Sequence, residues 1–154
     1  GTDFINRRKG LKVAGKVIYT AEAHVTGGRV HGHGVTSDGA LEVDLRPPGD
    51  EEAGTNPEQL FAVGYAACFE GALQAIARRE KVDLGEVAID SKVDLMTTED
   101  RGFGIGATLD VVLPGITDPG LAKKIVEAAH GVCPYSRATR GNIEVALSAN
   151  GEAV

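Results

Sequence analysis

NPEQLFAVGYAACF, residues 56–69, is the start of a helix with apolar or small residues on almost every side. Asn56 is a typical N-cap, Pro57 suits the first helical position, and Gln59 stands where a capping box places Glu or Gln. The apolar run continues to Ala77. The sequence therefore predicts a long helix without a polar face.

A helix of this kind fits either a membrane span or a core that is covered from several sides. Glu70 and Gln74 lie inside the run, which is rich in Ala and Gly rather than Leu, so we expect burial and no membrane. The sheet of so small a chain covers only one face of the helix. The other face is expected to pack on a second copy, which predicts a homodimer.

Alternating apolar and polar residues predict strands on both sides of this helix. The predicted strands cover residues 16–26, 29–36, 41–45, 87–95, 103–113 and 143–147. Asp118 and Pro119 mark the start of a second helix, Gly131 its end, and residues 132–136 are expected to form a turn. The order is βββ-α-ββ-α-β, and the short links favour a mainly antiparallel sheet in an α+β fold with a buried central helix.

The composition of the 154-residue chain is that of one globular domain, with 42% hydrophobic and 25% charged residues. Twenty-two acidic against sixteen basic side chains give a net charge of −6, which repels phosphate backbones and makes a nucleic-acid partner unexpected. Residues 1–15 lack an apolar h-region and are interpreted as an N-terminal tail before a single domain at 16–154. We expect a cytoplasmic protein.

Cys68 and Cys133 are the best candidates for chemistry, since no Ser-centred nucleophile elbow, phosphate loop or cofactor fingerprint is present. An apolar helix raises the pKa of a thiol, so a reactive Cys68 needs a nearby cation. The candidates outside the helix ends are Arg29, Arg137 and Arg140. Glu58 is explained equally well as a first-turn charge that complements the helix dipole. The residues alone leave these choices open.

His31 and His33 share one strand face, and His24 lies on a neighbouring strand, which raises the possibility of a metal site. A metal needs further ligands in a defined geometry, and neither Cys-x-x-Cys nor His-x-x-x-His accompanies these histidines. We therefore expect no metal and no cofactor.

Residues 56–69, together with VCPYSRATRGNI at 132–143, closely resemble the organic hydroperoxide resistance proteins (Ohr) of the OsmC/Ohr family. Shorter similarities at residues 19–21, 27–29 and 37–39 extend the resemblance over nearly everything from Val17 onward. The resemblance implies an OsmC/Ohr-like fold, an intertwined homodimer with its sites at the interface, and a thiol-dependent peroxidase that reduces organic hydroperoxides to alcohols.

By the same resemblance, Cys68 is expected to be the peroxidatic cysteine and Cys133 the resolving cysteine, which forms a disulfide with the Cys68 sulfenic acid. Arg29 is expected to be the cation beside the thiolate, and Glu58 the carboxylate that holds Arg29. The external reductant implied is a dithiol, specifically a lipoyl protein.

Apolar residues before Cys68 suit an alkyl or fatty-acid hydroperoxide better than hydrogen peroxide, because buried apolar area separates these substrates. The expected substrate-binding residues are Leu60, Phe61 and Tyr65. Glu58 and Cys68 are about 15 Å apart along a continuous helix. Glu58 is therefore expected from the other subunit, unless the helix breaks near Gly64.

Three alternatives stay open. The chain could be a peroxidase of the OsmC branch with broader peroxide specificity. It could also be a non-catalytic protein that binds a hydrophobic ligand, with Cys68 serving only in packing. Finally, a Cys68–Cys133 disulfide could be structural and stabilise the fold by about 4 kcal/mol in the chain-entropy model.

Overall fold

The computed structural model describes residues 15–154 and the backbone of two short antiparallel strands, β1 (Ile5–Asn6) and β2 (Leu11–Lys12). The chain forms two compact units, residues 1–55 and 56–154. The expected tail at 1–15 lies almost entirely outside the described residues, and the single domain at 16–154 stays a prediction.

The first unit contains a three-stranded antiparallel sheet in the order β3-β4-β5, formed by Ala23–Thr26, Gly32–Thr36 and Glu42–Leu45. Gly27 and Gly28, between β3 and β4, have φ angles of +75° and +65°, and Gly39, between β4 and β5, has +72°. These left-handed conformations favour glycine and make both tight turns possible. Both predicted turns are present, but the first extends to His31, so the second strand begins at Gly32 and not at Arg29 as predicted.

The first predicted strand is too long, and its half-buried character is wrong. Only Ala23–Thr26 forms a strand, and all four residues are exposed. The register pairs Ala23 with Thr36, which is the last residue of β4. The residues before Ala23 therefore extend beyond the end of β4 and have no neighbouring strand there to pair with. The described part of this unit consists of strands and loops, without a helix.

The second unit contains three helices and four strands. They are α1 (Pro57–Glu80), β6 (Ala88–Thr97), β7 (Phe103–Val112), α2 (Pro119–Val132), α3 (Pro134–Thr139), β8 (Val145–Ala149) and β9 (Glu152–Ala153). The sheet order is β6-β7-β8-β9, with β7 and β8 parallel and the other pairs antiparallel. The α+β class and the mainly antiparallel sheet are confirmed, and α3 and β9 are additions to the predicted order.

One face of α1 forms the centre of the core in this unit. Tyr65, Phe69 and Leu73 follow one another at intervals of four residues and are fully buried, where they join buried residues of β7 and α2. By length and composition α1 could also cross a membrane, and about a third of its apolar window is buried in the fold. The central helix is thus confirmed as a core helix on this face.

The start of α1 follows the predicted signal. The Gln59 backbone N–H donates to the Asn56 side chain at 2.9 Å, and Pro57 occupies the first turn. At the other end, Lys81 adopts a left-handed conformation and its N–H caps the Ala77 carbonyl. The helix is continuous past Gly64, so the alternative of a helix break there is excluded.

The turn expected at residues 132–136 is wrong, because α3 begins there. Asp118 caps the start of α2 as predicted, but α2 runs to Val132, one residue beyond Gly131. Cys133 then serves as the N-cap position of α3, with Pro134 in its first turn. Pro134 was therefore the start signal of a third helix rather than a turn residue.

Candidate active site

Cys68 and Cys133 lie together although 65 positions separate them in the chain. Cys68 is in the middle of α1, and Cys133 joins α2 to α3. Their sulfurs are 3.6 Å apart, with the Cys133 thiol placed to donate to Cys68. Both are thiols here; Cys133 is fully buried and Cys68 is partly exposed. A reagent that enters from solvent therefore meets Cys68 first.

Burial raises the pKa of the Cys68 thiol above its ordinary value, and the neighbouring Cys133 side chain raises it further. The backbone N–H of Tyr135, at the start of α3, donates to the Cys68 sulfur and opposes this shift. A hydrogen bond to sulfur favours the thiolate, whereas an apolar environment favours the thiol. Within this unit the environment of Cys68 favours the protonated form.

Three aromatic rings form a cluster, two of them on α1 before Cys68 and one on α3. Phe61, Tyr65 and Tyr135 contact one another with ring centroids 5.7–5.8 Å apart. The Tyr135 ring passes over Gly64, where a Cβ atom would stand 3.2 Å from the Tyr135 hydroxyl oxygen. Glycine at position 64 therefore gives the ring room to lie on α1 one turn before Cys68.

The predicted substrate-binding residues differ in burial. Leu60 and Phe61 are partly exposed near the start of α1. Tyr65 is fully buried, and its hydroxyl is 2.7 Å from the hydroxyl of Ser136 in α3. The structure thus connects Tyr65 with α3, and contact of these three residues with a substrate stays a prediction.

Arg29 and Glu58 belong to different units. Arg29 is exposed in the segment between β3 and β4, and Glu58 is half-buried in the first turn of α1. Because α1 is continuous, Glu58 is about 15 Å from Cys68 of its own chain along the helix axis. The roles of Arg29 and Glu58 beside Cys68 stay predictions. Because the helix does not break, the remaining alternative for Glu58 is that it acts on Cys68 of the second subunit.

The histidines of the first unit do not assemble a metal site within the described residues. The His33 ring nitrogens are both occupied, with Nδ1 2.9 Å from Asp44 and Nε2 2.9 Å from Glu42 on β5. These hydrogen bonds raise the pKa of His33. The pair of carboxylates gives His33 a structural role between two strands.

Sequence reasoning missed Tyr135, Ser136 and Thr139 as neighbours of the site. They were missed because residues 132–136 were interpreted as a turn, and a turn does not predict which side chains point into the protein. The Cys133-Pro134 pair was the available signal, since a capping position followed by proline predicts a helix whose third and sixth residues face the same side.

Comparison with known proteins identifies the family. A sequence model described as "OsmC-like protein" matches residues 48–148. The organic hydroperoxide resistance protein of Xanthomonas axonopodis pv. citri is 51% identical over 138 residues, which span 86% of this chain and 95% of the relative. The chain belongs to the OsmC/Ohr family. OhrA of Bacillus subtilis is 46% identical over 136 residues, 84% of this chain and 94% of that protein.

Solved structures of the OsmC/Ohr family share the fold. The crystal structure of OhrB from Bacillus subtilis has a TM-score of 0.80 and 45% identity, covering 86% of this chain and 98% of that one. An Ohr structure from Vibrio cholerae, described with captopril in one of its active sites, has a TM-score of 0.84 and 41% identity. It covers 90% of this chain and 96% of its own.

Proposed function

We propose that this OsmC/Ohr family member protects against organic hydroperoxides as a thiol-dependent peroxidase. The observation that carries the proposal is the 3.6 Å distance between the sulfurs of Cys68, which is partly exposed, and Cys133, which is buried. The names of the relatives, organic hydroperoxide resistance proteins, support the substrate class.

The reaction begins at the Cys68 thiolate. Its sulfur attacks the terminal oxygen of the hydroperoxide, the O–O bond breaks, and the alkoxide leaves and takes up a proton to become the alcohol. Cys68 is now a sulfenic acid, oxidised by two electrons. The Cys133 sulfur then attacks the Cys68 sulfur, the S–S bond forms, and the sulfenic oxygen leaves as water after protonation.

The geometry of the two sulfurs supports the second step. A disulfide has a bond length of about 2.05 Å, so the sulfurs need to approach by only about 1.5 Å. Cys133 is held at the junction of two helices, where its backbone N–H donates to Ala129. A small displacement of the α2–α3 junction is therefore sufficient, and no large rearrangement of the unit is needed.

The first step needs a cation, because burial raises the pKa of Cys68. We assign this role to Arg29, whose guanidinium donates in a planar fork that can contact both the thiolate and a peroxide oxygen. Glu58 orients Arg29 and, being too far along α1 to serve its own chain, comes from the second subunit of a homodimer. The sites are then complete only in the dimer.

The substrate and the reductant follow from the surroundings of the sulfurs. Leu60, Phe61 and the adjoining aromatic rings provide apolar contacts, which favour alkyl or fatty-acid hydroperoxides over hydrogen peroxide. An external dithiol reduces the Cys68–Cys133 disulfide in two successive thiol–disulfide exchange reactions and is itself oxidised to a disulfide. We propose that this dithiol is a lipoyl protein and that the cycle needs no metal or bound cofactor.

Single-turnover oxidation tests this function. Reduced protein is mixed with cumene hydroperoxide or with hydrogen peroxide, and the products at both cysteines are identified by mass. We expect much faster oxidation by cumene hydroperoxide, followed by a Cys68–Cys133 disulfide. Cys68→Ser should abolish turnover, whereas the matched variant Cys133→Ser should still form one alcohol per subunit and keep Cys68 as the sulfenic acid.

Other outcomes identify the alternatives. Equal rates with both peroxides would indicate the broader specificity of an OsmC-branch enzyme. Oxidation of Cys68 no faster than that of free cysteine would contradict the peroxidase and indicate a ligand-binding protein. A disulfide that resists mild dithiol reduction would indicate a structural bond.

A further inference from the structure

Three buried hydroxyl groups join α1 to α3 beside the two cysteines. The Tyr65 hydroxyl is 2.7 Å from Ser136 Oγ and 3.2 Å from Thr139 Oγ1. Tyr65 and Ser136 are fully buried, and Thr139 is 8% exposed. Buried hydroxyls are costly unless they are hydrogen-bonded, so this group is a specific connection rather than a chance contact.

The hydrogens of the three groups can be assigned, because each hydroxyl carries only one. Thr139 donates to the Ser136 carbonyl oxygen at 3.2 Å. Thr139 Oγ1 therefore accepts from Tyr65, and Ser136 Oγ donates to the Tyr65 oxygen. Loss of the Tyr65 hydroxyl alone would leave Ser136 without its acceptor and Thr139 without its donor.

The same pair of helices carries the thiol contacts. Tyr65 is three positions before Cys68 on α1, which places both side chains on one face of the helix. On α3, Tyr135 immediately precedes Ser136, and its N–H donates to the Cys68 sulfur. Cys133, directly before α3, approaches that sulfur to 3.6 Å. The position of α3 thus sets both contacts of Cys68.

We propose that Tyr65 is a positioning residue, whose hydroxyl holds α3 on α1 through Ser136 and Thr139 and so keeps the Tyr135 N–H and the Cys133 sulfur on Cys68. The inference rests on the proposed function in taking these two thiols as the reactive pair. It assigns the Tyr65 hydroxyl a role in thiolate stabilisation and in disulfide formation that needs no contact with the peroxide and is separate from the predicted substrate contact of the ring.

Tyr65→Phe tests the proposal, because it keeps the ring that contacts Phe61 and removes only the hydroxyl. Ser136→Ala makes the corresponding change on α3, and Tyr19→Phe, at an exposed tyrosine of the first unit, is the matched control. Two measurements are made on each protein without any peroxide. One is the pH profile of Cys68 alkylation by iodoacetamide, followed by peptide mass. The other is the equilibrium of the Cys68–Cys133 disulfide with reduced and oxidised dithiothreitol.

We expect the alkylation profile of Tyr65→Phe and of Ser136→Ala to move to higher pH, with about a two- to tenfold lower thiolate fraction at a given pH, as expected for a weakened hydrogen bond. The equilibrium constant for disulfide formation should fall by a similar factor, because Cys133 is held less firmly. Tyr19→Phe should match the wild-type protein in both measurements.

Profiles and equilibria of the folded Tyr65→Phe and Ser136→Ala variants that coincide with wild type would overturn the proposal. If Tyr65→Phe does not fold, Ser136→Ala and Thr139→Val provide the same comparison from α3. Failure of the peroxidase function is recognised separately, because it would appear as slow oxidation of the wild-type protein by cumene hydroperoxide while the two thiol measurements still responded to Tyr65.

Discussion

The reactivity of Cys68 depends on opposing effects at one sulfur atom. Burial and the Cys133 side chain raise its pKa, and the Tyr135 N–H lowers it. A single neutral donor contributes on the order of 1 kcal/mol, less than one pKa unit, so it cannot by itself offset substantial burial. A cation is therefore needed for a thiolate near neutral pH.

Replacement of Arg29 by alanine is expected to raise the apparent pKa of Cys68, because loss of a neighbouring positive charge disfavours the charged form. Arg29→Lys should give an intermediate value, since lysine keeps the charge without the planar fork. The measurement is the pH dependence of Cys68 alkylation. Arg137→Ala and Arg140→Ala, on or after α3, are the matched controls. If the apparent pKa of Cys68 rose only in Arg137→Ala or only in Arg140→Ala, that arginine and not Arg29 would be the cation beside the thiolate.

At the level of single residues, the sequence predicts which residues are functional better than it predicts which residues they contact. The resemblance at residues 56–69 and 132–143 led to Cys68 and Cys133 as a pair, and their sulfurs do lie together. The contact of Tyr65 with Ser136 and Thr139 spans more than 70 positions. No local pattern encodes such a contact, because it depends on how α3 packs on α1.

Among the elements, the strand pair β4–β5 contains a charge cluster on its exposed face. His33 on β4 lies between Asp44 and Glu42 on β5, and the hydrogen bond to Asp44 is the largest cause of its raised pKa. Both ring nitrogens donate only in the protonated histidine. Since the folded pKa is raised, the contribution of His33 to stability is complete below its unfolded pKa and is lost as the pH rises through the folded value.

Asp44 determines how the stability contributed by the same cluster changes at low pH. Its pKa is lowered, chiefly by His33, so its contribution is present above its unfolded pKa and is lost as the pH falls through the folded value. Asp44→Asn is expected to lower the pKa of His33, and Glu42→Gln to lower it by less. An NMR titration of the His33 ring checks this order. A larger effect of Glu42→Gln would show that the assignment of the main partner is wrong.

The errors in the predicted elements have different physical causes. The helix α1 was predicted well, because its cap, its first-turn proline and its long apolar run all agree. The α3 helix was missed because six residues are too few for a periodic pattern. The strand at 16–26 was predicted too long because alternation indicates an exposed and a buried side, whereas a strand also requires a neighbour with free hydrogen-bonding groups.

On the scale of the whole molecule, the uncovered side of α1 supports the proposed homodimer. Val63 is 72% exposed, and Ala67, Gly71 and Ala75 continue the exposed side of the helix at intervals of four residues. Apart from its chain neighbours and the nearby backbone of its own helix, Gly71 has no atom within 4 Å of the position of a Cβ. A second copy could therefore approach this side closely, and it would bring its own Glu58 with it.

Mixed dimers test whether Glu58 serves the Cys68 of the other subunit. Chains with Cys68→Ser and chains with Glu58→Ala, each expected to be inactive alone, are produced together with different affinity tags, and the mixed dimers are isolated through both tags. If Glu58 acts across the interface, the intact Cys68 of the Glu58→Ala chain lies beside the intact Glu58 of the Cys68→Ser chain. One of the two sites is then complete, and we expect about half of the wild-type turnover of cumene hydroperoxide.

The reciprocal dimer is the control, with a wild-type chain paired to a chain that carries both Cys68→Ser and Glu58→Ala. Its one intact Cys68 faces an altered Glu58 across the interface, so this dimer should be inactive. Half activity in the reciprocal dimer and none in the first would place Glu58 beside the Cys68 of its own chain, against the length of the continuous α1 helix. Recovery of no mixed species would contradict the homodimer itself.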